Sequence, residues 1–181
     1  TEHLMGTWSF NSLAQRQFIF PLPAQMWMGK EWYQGTANAI YQNLHLFEDY
    51  EPEDVAVFGG DHIYKMDVSQ MAAYHEEKDA HCTVAAIPVP VSQASQYGII
   101  QIDDDWRIVG FQEKPASPAP IPRNEHFALA SMGNYIFKRD VLESELHRDA
   151  QDAGSSHDFG RNVLPALVSG GNLFAYNFHA N

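Results

Sequence analysis

Cysteine is almost absent from this chain. Cys82 alone among 181 residues excludes an internal disulfide and any zinc cluster built on several thiolates. Positive charge is also scarce: 11 lysines and arginines against 23 aspartates and glutamates leave a formal net charge of −12. Such a field argues against nucleic acid or an anionic membrane surface as a partner. No apolar run approaches the roughly 20 residues needed to cross a bilayer, and no signal-peptide pattern opens the chain, so a cytoplasmic location with no membrane partner is expected. The nine histidines form no His-Glu-x-x-His array. There is no internal repeat and no low-complexity segment. What remains is a globular composition, 45% apolar, that can bury one sizeable core, so a single domain over 1–181 is expected. Any anionic substrate would need a bound cation and a few well-placed lysines. The chain starts at Thr1 rather than Met and ends at Asn181 straight after a strand-like run, which suggests a fragment.

The stretch Val55-Ala56-Val57-Phe58-Gly59-Gly60-Asp61 organises the rest. Its apolar part is too short for a helix and rich in β-formers, as in a strand buried on both faces of a parallel sheet, and its two glycines deliver Asp61 to the strand's carboxyl end. Ligands of open α/β sheets sit in the crevice outside those ends, so Asp61 is the expected reaction centre. Read locally, Gly60-Asp61 is more often an ordinary turn.

Residues 1–30 show little regular pattern. The set Ala37, Ile40, Tyr41, Leu44 and Phe47 predicts a helix with Thr36 as N-cap, and Val68, Met71, Ala72 and His75 predict another, capped by Asp67 or Ser69. Residues 82–87 read as a second buried strand, so strand, helix and strand make a right-handed βαβ unit. The runs 98–103 and 107–111, joined by Asp103-Asp104-Asp105, predict a hairpin. A proline-rich loop (115–122), a strand (131–137), a helix (141–147), a helix interrupted near Pro165 (159–168) and a last strand (173–178) follow.

Two further places could carry chemistry. In Glu113-Lys114-Pro115 the residue before proline is expected to be extended, presenting Lys114 stiffly to an anion, although a solvated surface pair is the commoner outcome of that pattern. Ser155-Ser156-His157-Asp158-Phe159-Gly160 sets hydroxyls and an acid just before a helix, where Asp158 could hold a cation or simply cap. The Asp158-Phe159-Gly160 tripeptide does not indicate a protein kinase, because no glycine-rich loop precedes a Val-Ala-Ile-Lys strand and there is no His-Arg-Asp loop. His75, on an apolar helical face, reads as a packed histidine rather than a ligand.

Five stretches in order along the chain, Trp32-Tyr33-Gln34-Gly35-Thr36-Ala37-Asn38-Ala39, Gly60-Asp61-His62-Ile63-Tyr64-Lys65-Met66-Asp67, Phe111-Gln112-Glu113-Lys114-Pro115, Ala130-Ser131-Met132-Gly133-Asn134-Tyr135 and Ser156-His157-Asp158-Phe159-Gly160, resemble bacterial ADP-glucose pyrophosphorylase (glucose-1-phosphate adenylyltransferase). The resemblance implies an α/β, Rossmann-like mixed and mostly parallel sheet of the sugar nucleotidyltransferase type, incomplete at its N-terminus. It implies adenylyl transfer from ATP to glucose 1-phosphate, giving ADP-glucose and pyrophosphate for glycogen synthesis, with Mg²⁺ on Asp61 and Asp158 and Lys114 completing the catalytic set. Gly98, Glu113, Lys114, Ser131 and Tyr135 would bind glucose 1-phosphate; Gln25, Tyr33, Gly35 and Thr36 would receive the nucleotide. As a full-length protein it would be a homotetramer. The glycine-rich triphosphate loop and carboxyl-terminal β-helix of that family have no counterpart here, so the chain by itself is expected to be inactive, and Gln34 stands where many relatives carry a basic residue. A different base or sugar, or a non-catalytic sugar-phosphate-binding subunit, are the alternatives.

Overall fold

The structure, a computed structural model, describes residues 19, 21, 22, 32–61, 65 and 67–180. The chain divides into two units, Thr1–Tyr33 and Gln34–Asn181. The second unit opens with α1 (Thr36–Tyr41) and α2 (His45–Tyr50), two short helices where the apolar spacing predicts one. Gly35 takes the N-cap position, and the Thr36 hydroxyl, expected to cap, is instead spent on a distant loop. β1 (Asp54–Val57) follows, then α3 (Val68–Glu77), capped as expected by Asp67, whose carboxylate accepts the Ser69 amide at 3.0 Å. β2 (Cys82–Pro90) leads through a 3-10 turn (Val91–Gln96) into the hairpin of β3 (Gly98–Ile102) and β4 (Ile108–Glu113). After the proline-rich loop come β5 (Phe127–Lys138), α4 (Arg139–Gln151), a π-helical turn (Phe159–Val163), α5 (Leu164–Val168) with Pro165 in its first turn, and β6 (Leu173–Asn177). Proline is tolerated there because first-turn amides have no intrahelical acceptor.

The strands form one mixed six-stranded sheet, ordered β4-β3-β5-β2-β6 with β1 also on β5. The mixed α/β layout agrees with expectation, but the predominance of parallel pairing does not. Among the described strands only β2 and β6 pair in parallel; the other pairings are antiparallel. The expected βαβ unit is present in direction, since β1 and β2 both run opposite to β5, yet β5 is inserted between them. An apolar run shows that a strand is buried without naming its neighbours. β1 is likewise less enclosed than its sequence suggests: Ala56 is exposed, and the strand has β5 on one side only among the described residues.

β5 is the spine. One edge pairs with β2 along most of its length, whereas the other is shared by two shorter strands in tandem. β1 covers Tyr135 to Lys138, and β3 covers Leu129 and Ala130. Between them Ser131, Met132, Gly133 and Asn134 have no partner strand on that edge among the described residues, and the register with β2 slips here, Ala85 of β2 facing Met132, Gly133 and Asn134 of β5. Gly133, at φ 73°, adopts the left-handed conformation that such an irregularity requires and that most side chains resist.

Helices cover both faces. On one, α1, α4, α5 and the π turn bury Phe137, Leu142, Leu146, Phe159 and Leu164 against the sheet; on the other, Met71 of α3 meets Ala85, Ile136 and Tyr176. His75 is fully buried on α3, its Nδ1 sharing a 2.7 Å hydrogen bond with the Thr83 hydroxyl, so it is the packed histidine its spacing suggests. Burial pushes its pKa below the ordinary value, with Asp54 partly opposing.

Candidate functional site

The gap along β5 is the floor of a cleft of about 910 Å³. The end of β1 feeds into it through Phe58-Gly59-Gly60-Asp61, and β3 begins on its far side at Gly98, beside the end of β4. Asp61, Gly98, Glu113, Lys114, Ser131, Tyr135, Asp158 and Thr36 all line it, so eight positions singled out from sequence meet in one place. Gln25 lies outside the described residues, and Tyr33 belongs to the first unit. Gly35 abuts the cleft loop rather than lining the cavity.

Each side chain is set by its element. Gly98 pairs with Glu113, and a Cβ there would come within 2.7 Å of the Phe111 ring and 3.0 Å of Glu113 Oε2; only hydrogen leaves room for that carboxylate. Lys114 departs from expectation. It is not extended but turned to φ 47°, because its N–H donates to the Tyr97 carbonyl at 3.0 Å and closes the ladder end. Its ammonium lies 3.9 Å from Glu113 Oε1 on a side chain 58% exposed, a loose pairing that leaves capacity for another anion. Ser131 and Tyr135 flank the irregular segment. The phenol is packed near Phe137 and Phe159 and driven to strongly raised pKa by burial, which a hydrogen bond from Ser131 partly opposes. Tyr135 is therefore a neutral hydroxyl at physiological pH.

Asp158 arrives from the loop before the π turn. Its Oδ1 accepts the Arg161 amide at 3.0 Å, so the capping role is real, and its Oδ2 faces the Thr36 hydroxyl at 3.4 Å. Thr36 also accepts the Phe159 amide at 3.3 Å. The Ala37 amide donates to the His157 carbonyl at 2.8 Å, and a Cβ on Gly35 would come within 2.3 Å of the same carbonyl oxygen. The start of α1 is thereby pressed onto the loop that presents Asp158.

Among the described lining residues three carboxylates, Asp61, Glu113 and Asp158, face a single cation, Lys114. No group of three or more metal-ligating side chains occurs among the described residues. Mg²⁺ takes one or two carboxylates and completes its shell with water and substrate phosphates, a shell that Asp61 and Asp158 could begin. Each Asp158 oxygen has one protein donor and keeps lone-pair capacity. Sequence reasoning missed Tyr97, Phe111 and Met132, which also line the cleft. Their signal was position: Tyr97 and Met132 adjoin Gly98 and Ser131 in sequence, and Phe111 lies two residues before Glu113 on β4.

Residues 9–181 match the sequence profile of the family described as nucleotidyl transferase. The chain is similar to glucose-1-phosphate adenylyltransferase 1 of Vibrio vulnificus, 52% identical over 179 residues, covering 99% of this chain and 44% of that protein. It is similar also to glucose-1-phosphate adenylyltransferase of Thermus thermophilus, 50% identical over 186 residues, covering 100% of this chain and 45% of that protein. The chain thus spans less than half the length of these curated relatives.

Proposed function

This chain belongs to the nucleotidyl transferase family, and on that premise we propose that the protein transfers the adenylyl group of ATP to glucose 1-phosphate, forming ADP-glucose for glycogen synthesis. The observation that carries this reading is one cleft lined by Asp61 and Asp158 together with Glu113 and Lys114, two acids suited to hold a cation beside a lysine suited to receive a phosphate. A phosphate oxygen of glucose 1-phosphate attacks the α-phosphorus, the bond from that phosphorus to the bridging oxygen breaks, and pyrophosphate leaves with the bonding pair. No protein atom is covalently modified and no proton need be removed from the nucleophile.

The chain's residues act by holding and orienting. Lys114 receives the phosphate of the sugar substrate, and its left-handed backbone fixes the ammonium's base against β3. Glu113 accepts glucose hydroxyls in the space that Gly98 and Gly160 leave open around its Oε2. Ser131 and the neutral Tyr135 phenol offer further polar contacts, while Thr36 and Gly35 border the nucleotide. Asp61 and Asp158 would hold Mg²⁺, which when bound supplies charge neutralisation between two substrates that otherwise repel.

The test is product formation by the protein as its gene encodes it, offered each nucleoside triphosphate with each common sugar 1-phosphate. ADP-glucose formation at least about 10-fold faster than any other nucleotide-sugar product is expected, since an unmatched buried polar group costs a competing substrate at least that factor. A preferred product carrying another base or sugar contradicts the proposal, as does substrate binding without turnover.

A further inference from the structure

Asp149 is 2% exposed, near the end of α4, and nothing in the cleft chemistry above uses it. A buried carboxylate is costly unless it is hydrogen-bonded, so its partners indicate what it is there for. Two side-chain hydrogen bonds tie it to one loop. The Ser155 hydroxyl donates to Oδ1 at 2.6 Å, and His157 Nδ1 approaches Oδ2 at 2.7 Å. The His157 amide in turn donates to the Ser155 hydroxyl at 2.9 Å, so side chain and backbone of His157 are both tied back to Asp149.

His157 is a non-glycine residue at φ 54°, a conformation that persists only where the surroundings enforce it. Its carbonyl receives the Ala37 amide, and its carboxyl-side neighbour is Asp158. We infer that Asp149 is a positioning residue: through Ser155 and His157 it holds the left-handed turn that aims the Asp158 carboxylate into the cleft and seats the start of α1 beside it. The inference rests on the reading of Asp158 as a cation-holding group of the adenylyl transfer. Helix phase carried a trace of this role, because Asp149 falls on the same stripe of α4 as the buried Leu142 and Leu146.

Asp149→Ala in the whole protein removes both acceptors and releases the turn. Expected are Mn²⁺ affinity weaker by about 10-fold or more, kcat lower by about 30-fold or more, and a KM for glucose 1-phosphate within about 3-fold of wild type. Hydrogen exchange at the Ala37 amide should accelerate by about 10-fold or more, as its bond to His157 loosens. Asp149→Asn keeps an acceptor for Ser155 and should restore most of each loss. Wild-type metal affinity and Ala37 protection in Asp149→Ala would overturn the inference, as would a parallel rise in the glucose 1-phosphate KM. If that variant does not fold, His157→Asn, which keeps a donor and tolerates the left-handed turn, should bind Mn²⁺ near wild type while His157→Val does not; equal loss in both overturns the inference. Should the wild type make no ADP-glucose, the functional reading fails, while Mn²⁺ binding and Ala37 exchange still decide the role of Asp149.

Discussion

Lys114 shows how much a single residue's role depends on backbone as well as charge. The extended pre-proline conformation expected of it is not adopted: its backbone is turned to the left-handed region and held by the ladder-closing hydrogen bond to Tyr97. With its side chain 58% exposed and its ammonium 3.9 Å from Glu113, partial solvent screening lowers its contribution to binding. Lys114→Ala should raise the KM for glucose 1-phosphate by roughly 10- to 150-fold, the equivalent of about 1.5–3 kcal/mol for a hydrogen bond to a charged group, and the ATP KM far less. Steady-state kinetics with each substrate varied in turn checks this; an unchanged sugar-phosphate KM returns Lys114 to the role of an exposed surface charge.

At the scale of elements, the junction between α1 and the loop before the π turn is a close backbone contact beside the cleft. Gly35 has an extended backbone that any residue could adopt, so its need for glycine is purely steric: the His157 and Ser156 carbonyl oxygens would lie 2.3 and 2.4 Å from an added Cβ. Backbone atoms cannot swing aside as a side-chain end can. Gly35→Ala should therefore cost about 1–3 kcal/mol of stability, as overpacking does, and raise the KM for ATP more than that for glucose 1-phosphate. Thermal unfolding together with kinetics reads both, and an unaltered Tm contradicts the contact. Elements themselves were legible where burial leaves a periodic trace: the strands around Val55, Val84, Ile100 and Ile136, and helix α3 with its Asp67 cap, fall where the sequence suggests. Pairing was not legible, because hydrophobicity reports burial and not the neighbour, and so β5 between β1 and β2 went unforeseen. The break after Tyr41 was hidden for a related reason, since Leu44 and Phe47 still pack on the core from the next helix.

Across the whole molecule the logic is electrostatic. A chain of formal charge −12 presents a cleft with three carboxylates and one lysine among its described lining residues, a poor receptor for two phosphate-bearing substrates without a divalent cation. The candidate residues were legible from sequence because they cluster at strand ends and before helices, where side chains are free of the core; Asp61, Glu113, Lys114 and Asp158 all obey that rule and share the cleft. Asp149 was not legible, being one acid among several in a polar helix until its burial distinguishes it. The central claim is that the gap left along β5 between β1 and β3 receives both substrates around a cation held by Asp61 and Asp158. A crystal structure with ADP-glucose and Mn²⁺, located by anomalous scattering, tests it most directly. The account predicts a metal peak at about 2.1 Å from oxygens of both Asp61 and Asp158, with the glucose against Glu113. A metal bound to neither aspartate, or a nucleotide sugar seated away from this gap, would contradict it.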